Sequence, residues 1–309
     1  KGVGIINKII KNLFFFPRLN SFLKNNQPDF ILGYQIISAS DALRFGKNHN
    51  IKVANFIFET PDWLMAEHKK WTQNKIKEKN LRKWNSFKKT LLKSDQIFPN
   101  SNITKNKAEK WLNKEINDPI YPGIDIKKIP DNDNIKKQNQ IIYIGKLEPH
   151  KNVHLLIEAL AKLKNPPLLI VCGNGPELTN LKEIAKYKGV SCIFKGNVSD
   201  SEKWLLLKQS MFMVFPSSFE GFGMPPMEAL ASGIPCICSD IPIFKSVYNE
   251  HVEYFNPEDV NDLVKKIAYL HSEYNFRKKR GIAGKKFVLN NYTWDISAHK
   301  IESSLKTKL

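Results

Sequence analysis

The chain has 309 residues and carries 48 Lys and Arg against 30 Asp and Glu, a formal net charge of +18. At about 150 residues per domain, this length predicts two domains that each bury a core. No run of about 18 apolar residues could span a bilayer and neither end resembles a secretory signal, which predicts a cytoplasmic location. The four cysteines lie in apolar, strand-like runs away from metal-ligand spacing, and indicate reduced core residues.

Short apolar strands alternate with helical patterns along the chain. The predicted strands are Asp29–Gln35, Ile51–Phe58, Gln96–Pro99, Ile141–Gly145, Leu168–Cys172, Val190–Phe194, Met211–Phe215 and Pro235–Ser239. Clear helical patterns cover Val153–Leu163 and Pro176–Lys188. Alternation of this kind predicts an α/β fold whose parallel sheets are covered on both faces.

The densest positive stretch, residues 68–93, combines ten Lys or Arg with Trp71, Trp84 and Phe87. Such a stretch can lie on an anionic membrane surface, with each basic residue contributing about 1 kcal/mol and the aromatic rings at the interface. A solvated lysine-rich helix face is the open alternative to this peripheral contact. The chain has no nucleic-acid-binding motif, so nucleic acid is not an expected partner.

Residues 216–242 carry the most informative motif. Glu220 and Glu228 stand eight positions apart, across a Gly221-Phe222-Gly223 turn that follows the strand Met211–Phe215 and opens into a helix. A helix N-terminus after a strand favours anions, and glycines allow a ligand to approach the backbone. Carboxylates accept hydrogen bonds from hydroxyl groups, so phosphate beside hydroxyls indicates a sugar nucleotide. Alternatively, Glu220 caps the helix and Glu228 lies on its solvated face.

The motif resembles the E-x7-E signature of the retaining, nucleotide-sugar-dependent glycosyltransferases of family 4. Further segments resemble that family's sequence in the same order. They are Tyr121–Asp125, Ile142–Asn152, Leu169–Pro176 and Phe194–Ser199. The resemblance is dense from about residue 95 to the C-terminus and thin before it. It implies the GT-B fold, in which two Rossmann-like domains with parallel sheets face each other across a cleft.

The resemblance also implies the domain organisation. We expect an acceptor-side domain over residues 1–130 and a nucleotide-sugar-binding domain over residues 131–291, with a helix over residues 292–309 that crosses back to the first domain. The polar stretch Asp131–Gln140 is interpreted as the linker. Its Asp131-Asn132-Asp133 resembles a metal-binding motif of another glycosyltransferase fold, but no strand precedes it. Neither a metal nor another cofactor is therefore expected.

Roles of individual side chains are implied by the family. Lys146 and Lys151 would neutralise the donor diphosphate as charge develops on the leaving group. Glu228 would accept the ribose hydroxyls, and Glu220 would contact the transferred sugar. The family usually has Arg where Lys146 stands, so charge compensation is expected there rather than a bidentate grip. With Glu220, these two lysines are the predicted catalytic residues.

Other donor-side positions are expected to act through the backbone or by lining the site. Gly173 and Gly175 have the alternative of forming a tight strand-to-helix turn only. The stretch near Val198 would hold the base. The full set of these positions is Gly145, Gly173, Asn174, Gly175, Asn197, Val198, Gly221, Phe222, Gly223 and Met224.

The implied reaction is transfer of a hexose from a UDP- or GDP-sugar to a hydroxyl of a glycan or lipid-linked acceptor. The family is thought to react on one face of the sugar, with the departing phosphate taking the acceptor's proton. No third carboxylate is spaced to pair with Glu220 as in a glycosidase. A non-catalytic binding paralogue is the main alternative, and the E-x7-E loop argues against a sugar-nucleotide epimerase.

The N-terminal part departs from the family pattern. The chain begins at Lys1 with an apolar helical pattern in residues 3–13, where the family has a strand and a Gly-rich loop. By analogy with the family, we expect either that the chain is a fragment that lacks about 50 residues or that its first domain is unusually short. Tyr34 and Glu59 follow predicted strands and are the acceptor-side candidates, although Glu59 has the alternative of capping the helix expected near Pro61.

Overall fold

The computed structural model describes residues 16–26, 28–61, 74–130 and 135–306. They divide into two compact units. Unit 1 holds the described residues up to Ile120 together with those from Lys300 onward, and unit 2 spans Tyr121–His299. The predicted N-terminal helical pattern and Asp131-Asn132-Asp133 lie outside the described residues.

Unit 1 is built on a parallel sheet of order β1-β2-β3. Leu32 pairs with Ala54, and Asn55 pairs with Ile97. Its elements are α1 (Phe16–Asn26), β1 (Phe30–Tyr34), α2 (Gln35–His49), β2 (Lys52–Ile57), α3 (Asn74–Leu91), β3 (Gln96–Pro99) and α4 (Asn102–Leu112). The helices cover the sheet, with Ile57 of β2 and Ile97 of β3 in a shared core cluster.

Helix α3 corrects part of the membrane hypothesis. Trp84 and Phe87 are 4% and 3% exposed, and with Leu91 they form a stripe at helical spacing that belongs to the core of unit 1. These two rings are therefore not available to a membrane interface. Lys83 and Lys89 remain exposed on the other side of the helix, and Trp71 lies outside the described residues.

Unit 2 has a parallel sheet of order β6-β5-β4-β7-β8-β9. Counted along unit 2 alone, this is the order 3-2-1-4-5-6 of a doubly wound Rossmann fold. Ligands bind such sheets at the carboxyl ends of the strands where the order reverses, here between β4 and β7. The strands are β4 (Gln140–Ile144), β5 (Leu168–Cys172), β6 (Cys192–Gly196), β7 (Met213–Phe215), β8 (Cys236–Ser239) and β9 (Glu253–Phe255).

Helices lie between the strands of unit 2 and follow its last strand. They are α5 (Val153–Ala161), α6 (Leu178–Lys188), α7 (Asp200–Gln209), α8 (Met224–Ala231), α9 (Pro242–Tyr248), α10 (Val260–Ser272), α11 (Tyr274–Asn291) and α12 (Trp294–Lys306). Short 3₁₀ turns cover Ile126–Lys128, Pro149–Lys151 and Asn249–His251. The four cysteines are free, and three of them are buried in the strands.

The eight predicted strands are all present, with ends that differ by at most two residues. Strand β9 was not predicted. Its three residues, Glu253 to Phe255, form neither an apolar run nor a clear alternation of polar and apolar side chains. Its hydrogen bonds to β8, rather than its own sequence, place it at the sheet edge.

The segment after Ile120 belongs to unit 2, earlier than the predicted boundary at residue 130. Ile124 forms a bridge with Thr293, and Gly123 lies so close to the Thr293–Trp294 backbone that a Cβ would clash. At the other end of α12, Ile301 and Leu305 pack against the Ala54 and Phe98 core of unit 1. This helix thus begins in unit 2 and ends in unit 1.

Helices α8 and α11 approach each other through glycine. A Cβ at Gly281 would lie 2.3 Å from the carbonyl oxygen of Gly233, a backbone atom that cannot rotate away. At Gly284, a Cβ would lie 2.6 Å from Cδ2 of Leu230. Because Gly281 and Gly284 have no side chains, α11 can pack this closely against the helix that carries Glu228.

We expect Gly281→Ala to destabilise unit 2, although alanine favours an exposed helix by about 1 kcal/mol relative to glycine. Overpacking against a fixed backbone costs about 1–3 kcal/mol, which outweighs that gain. The urea midpoint measured by circular dichroism should fall. Lys279→Ala, at an exposed position of the same helix, is the control and should leave it nearly unchanged. An unchanged or higher midpoint for Gly281→Ala would show that the helices can separate freely.

Candidate active site

The loops after β4 and β5 are locked together through their backbones. The Gly145 N–H donates to Cys172 O at 2.9 Å, and the Leu147 N–H donates to Asn174 O at 3.0 Å. Gly173 has φ +134°, and a Cβ there would lie 1.9 Å from Gly145 O. Gly173 is therefore required by the close approach of these two loops, and its role in ligand binding stays a prediction.

Lys151 and Glu220 form an ion pair that joins the β4 loop to the β7 loop. Lys151 Nζ lies 2.6 Å from Glu220 Oε1, and the side chains are only 14% and 12% exposed. The two loops are held in place nearby by the Ser218 N–H, which donates to His150 O at 2.9 Å. Lys151 is thus not a solvated surface lysine. The pair lies where β4 and β7 end, at the reversal point of the sheet.

Glu228, on α8, forms a second ion pair with a lysine of α7. Its Oε1 lies 2.7 Å from Nζ of Lys203 on α7, and the side chains are 17% and 16% exposed. Burial raises the pKa of Glu228, and the hydrogen bond from Lys203 opposes that rise. Glu228 therefore does not occupy a solvated helix face. Lys203 also lies 3.4 Å from Asp200 Oδ1, near the start of α7.

Sequence reasoning missed Lys203. It lies between Glu202 and Trp204 in a helix whose Ser199 cap is the only local signal. Ser199 Oγ accepts from the Glu202 N–H, which fixes the first turn of α7. That cap predicts a helix but not which side chain meets Glu228, since the two residues lie 25 positions apart.

The N-terminus of α8 differs from an ordinary anion site. Gly223 is its N-cap residue, with φ +93° and no side-chain cap bond, so Glu220 does not cap the helix. The Tyr248 hydroxyl donates to Gly223 O, which holds the turn. Because Pro225 and Pro226 follow Met224, two positions of the first turn have no N–H. Fewer donors face a ligand there than the glycine turn alone predicts.

Phe222 is a packing residue. Its side chain is 6% exposed, and its ring lies 6.1 Å from Tyr121 and 6.2 Å from Tyr292. The side chain of Phe222 is thus committed to packing, so only its backbone could take the role expected for this turn. Tyr143 provides comparable support beneath the β4 loop, because its hydroxyl donates to Lys146 O at 2.9 Å and burial raises its pKa.

Lys146 occupies the same loop but is not part of the buried ion pair. Its side chain is 80% exposed, and Nζ lies 4.0 Å from Glu148 Oε1. The other oxygen of Glu148 lies 3.5 Å from His150 Nδ1. The structure thus places Lys146 at the expected strand end, as an exposed point charge on a long side chain.

The predicted base-binding positions lie at the ends of β5 and β6. The Gly173 N–H donates to Gly196 O at 2.7 Å, and the Asn174 amide lies beside Gly196. Asn197 is exposed and Val198 is half-buried. The arrangement brings these residues to the same sheet edge as Gly145 and Gly173, as the parallel strand order requires.

The acceptor-side candidates belong to unit 1. Tyr34, at the end of β1, is 58% exposed, and its ring lies 4.6 Å from Phe58. Glu59 follows β2, and burial raises its pKa. Both residues lie at the carboxyl ends of parallel strands. The helix predicted near Pro61, which Glu59 has the alternative of capping, lies outside the described residues.

Two findings concern only the described part of the chain. No cluster of three or more His, Cys, Asp and Glu side chains there could hold a metal ion. None of its helices is both long and apolar enough to cross a membrane. Metal independence stays a prediction.

We expect Lys203→Met to make stability more dependent on pH. Since burial raises the pKa of Glu228 above 4.5, the folded chain binds more protons than the unfolded chain between the two values, and stability falls as pH rises. Removing Lys203 raises that pKa further, so the melting-temperature deficit of the variant should grow above pH 4.5. At neutral pH the loss should reach roughly 2–3 kcal/mol, because the carboxylate is left without its cation.

Lys195→Met is the matched control for Lys203→Met. Its ion pair with Glu202 is 39% and 41% exposed at the two side chains, so screening makes its contribution small. An equal pH dependence in both variants would contradict the importance of Glu228 burial.

Comparison with known proteins agrees with this geometry. Residues 125–287 match the family described as glycosyl transferases group 1. The O-antigen chain mannosyltransferase RfbU of Salmonella typhimurium is 35% identical over 127 residues, which cover 40% of this chain and 36% of that enzyme. The matched part of this chain thus spans less than half the length of that relative.

Solved structures show the same fold at low identity. Sucrose-phosphate synthase from Thermosynechococcus elongatus superposes with a TM-score of 0.77 at 16% identity, over 95% of this chain and 77% of that one. Anabaena HepE, in complex with UDP and glucose, gives 0.74 at 14% identity, over 96% and 82%. These neighbours have the GT-B architecture of two Rossmann-like halves. The chain belongs to the glycosyl transferases group 1 family and has the GT-B fold.

Proposed function

We propose that this chain is a retaining, family 4 glycosyltransferase that moves a hexose from a nucleotide-diphosphate sugar to a hydroxyl of a glycan or lipid-linked acceptor. The Lys151–Glu220 ion pair at the reversal point of the unit 2 sheet carries this proposal. It supplies one cation and one hydroxyl acceptor where doubly wound sheets bind nucleotides. Family membership and the nucleotide complex of HepE support the same ligand class.

The ion pair suggests an exchange on donor binding. A diphosphate that reaches Lys151 replaces Glu220 as the partner of its ammonium group. Glu220 is then available to accept hydroxyl hydrogen bonds from the sugar. For Lys151, exchange of one anionic partner for another avoids leaving its ammonium group without compensation, which would cost several kcal/mol. At Glu220, hydrogen bonds from the sugar hydroxyls replace the hydrogen bond from Lys151.

Positive charge near the diphosphate assists bond cleavage. As the bond between the sugar and the phosphate oxygen breaks, negative charge grows on the leaving group, and Lys151 stabilises it more than the ground state. Lys146 adds a second charge on an exposed, flexible side chain. These two cations supply charge compensation from the protein itself, in keeping with a metal-independent reaction.

Glu228 is proposed to recognise the ribose. Lys203 donates to Oε1, which leaves Oε2 with its acceptor sites for a ribose hydroxyl. Because Lys203 opposes the effect of burial on the carboxyl group, it favours the ionised form, which is a stronger acceptor. Lys203 therefore acts as a positioning residue for Glu228.

Retention is proposed to follow from reaction on one face of the sugar. Glu220 is proposed to accept hydrogen bonds from the sugar hydroxyls rather than to act as a nucleophile. The departing phosphate oxygen takes the acceptor proton while the acceptor oxygen forms the new glycosidic bond on the same face. Tyr34 and Glu59 are proposed to contact the acceptor. Since RfbU is a mannosyltransferase, nucleotide-linked mannose is the first donor to test.

Nucleotide binding should raise the melting temperature of the purified chain. UDP, GDP and ADP are each tested alone and as sugar conjugates. A ligand at 100 times its dissociation constant stabilises by about 2.7 kcal/mol, so one base should give a clear shift. Glu228→Ala should abolish that shift, while Lys186→Ala, at an exposed position of α6, should retain it. No shift with any nucleotide would contradict the donor site.

The chain should also release nucleoside diphosphate slowly from its donor in the absence of an acceptor. Lys151→Ala should lower this rate by about 10²–10³-fold, as expected for loss of a preorganised charge at the leaving group. Lys186→Ala again serves as the control. Nucleotide binding without any turnover would instead identify a non-catalytic binding paralogue, and turnover unaffected by Lys151→Ala would show that the site is placed wrongly.

A further inference from the structure

A cavity lies at the end of the unit 2 sheet that is opposite the proposed donor site. Its volume is about 430 Å³, within the range of small-molecule sites. It is lined by residues that precede β4, β7 and β8, including Lys137, Met211 and Pro235, and by α11. The proposed donor site follows the other ends of the same strands. Since β4 has five residues, the two edges are roughly 16 Å apart.

The cavity is strongly basic. Five cationic side chains line it, and among the described residues its lining contains no Asp or Glu. They are Lys137, Lys208, Arg277, Lys278 and Lys285. Lys208 is only 7% exposed, so one of these charges lies in the wall of the cavity rather than on the open surface.

Lys137 and Arg277 use main-chain oxygens rather than carboxylates as partners. Lys137 Nζ donates to Ser210 O at 2.8 Å, and Arg277 donates to the carbonyls of Leu270 and His271. Within the described part of the chain, neither forms an ion pair. Burial, followed by the charges of Arg277 and Lys208, lowers the pKa of Lys137 to about 8. The cations therefore repel one another across the cavity.

Apolar side chains form the remaining wall. Tyr274 and Ile282 on α11 are 62% and 63% exposed, and Met211 lies two residues before β7. The Arg277 guanidinium lies 5.7 Å from the centre of the Tyr274 ring. An inorganic anion would satisfy the cations but not cover these groups. The surface thus fits a ligand with an anionic part and an organic part.

We propose that this cavity binds an organic phosphate or diphosphate, with phosphoryl oxygens on Lys137, Arg277 and Lys278 and the organic part against Tyr274 and Ile282. Phosphoryl oxygens suit both the fork of an arginine and the point charges of lysines. The same chemistry occurs in soluble phosphate esters and in phospholipid headgroups. The site is independent of the proposed glycosyl transfer, because it shares no residue with the donor site.

The test compares two double variants of helix α11. Lys278→Gln/Lys285→Gln removes two cavity charges, and Lys279→Gln/Lys286→Gln removes two neighbouring charges that do not line the cavity. Inorganic pyrophosphate is titrated into the complete chain by calorimetry. The cavity variant should bind it about tenfold more weakly, since each charge-assisted contact is worth more than a neutral one. The neighbour variant should bind as the original chain does.

A site-specific measurement separates this binding from the donor site. Pyrophosphate should protect Lys278 and Lys285, but not Lys279 and Lys286, from acetylation read by mass spectrometry. This protection should persist in Lys151→Ala, which disables the proposed donor site. Equal affinity of the two double variants, or equal protection of all four lysines, would overturn the proposal.

Vesicles then identify the source of the phosphate. If the ligand is a headgroup, sedimentation with phosphatidylcholine vesicles that contain phosphatidic acid should exceed sedimentation with phosphatidylcholine alone. Lys278→Gln/Lys285→Gln and added pyrophosphate should each reduce it. If pyrophosphate protects the cavity lysines while vesicle binding is the same in both double variants, the ligand is a soluble phosphate ester.

Discussion

The pairing of β4 with β7, with Ile142 opposite Met213, is the contact on which the candidate site depends. It joins two strands far apart in the chain at the point where the strand order reverses. Because the strands are parallel, the loops that carry Lys151 and Glu220 leave the sheet at the same edge. Their ion pair at 2.6 Å is a consequence of this strand order. Loss of that register would separate both residues without changing either.

Features that depend on a local sequence pattern could be predicted from the sequence. Eight strands, the glycine turns and the Glu220 loop all have signals within a few residues. Lys203 and the burial of Trp84 could not be identified in this way, because they depend on which helix faces meet. Trp84 and Phe87 suggested a membrane surface because the sequence does not show what their helix packs against. Strand β9 likewise exists through its pairing with β8.

Two half-buried ion pairs in one site are not explained by stability alone. Desolvation of two charges offsets most of their attraction, and apolar pairs of similar volume often stabilise equally well. In the proposed site, each pair holds a hydroxyl-accepting carboxylate beside a cation. At Glu228, where burial raises the pKa, the hydrogen bond from Lys203 favours the ionised form.

The two edges of the unit 2 sheet show opposite electrostatic arrangements. At the carboxyl edge, Lys151 and Lys203 are each neutralised by a glutamate. At the amino edge, Lys137 and Arg277 contact only main-chain oxygens, and among the described lining residues there is no carboxylate. Neutral carbonyls cannot cancel net charge, so Lys137 and Arg277 add to the positive potential of this edge. The proposed donor site and the proposed phosphate site would thus lie at opposite edges of the same six strands.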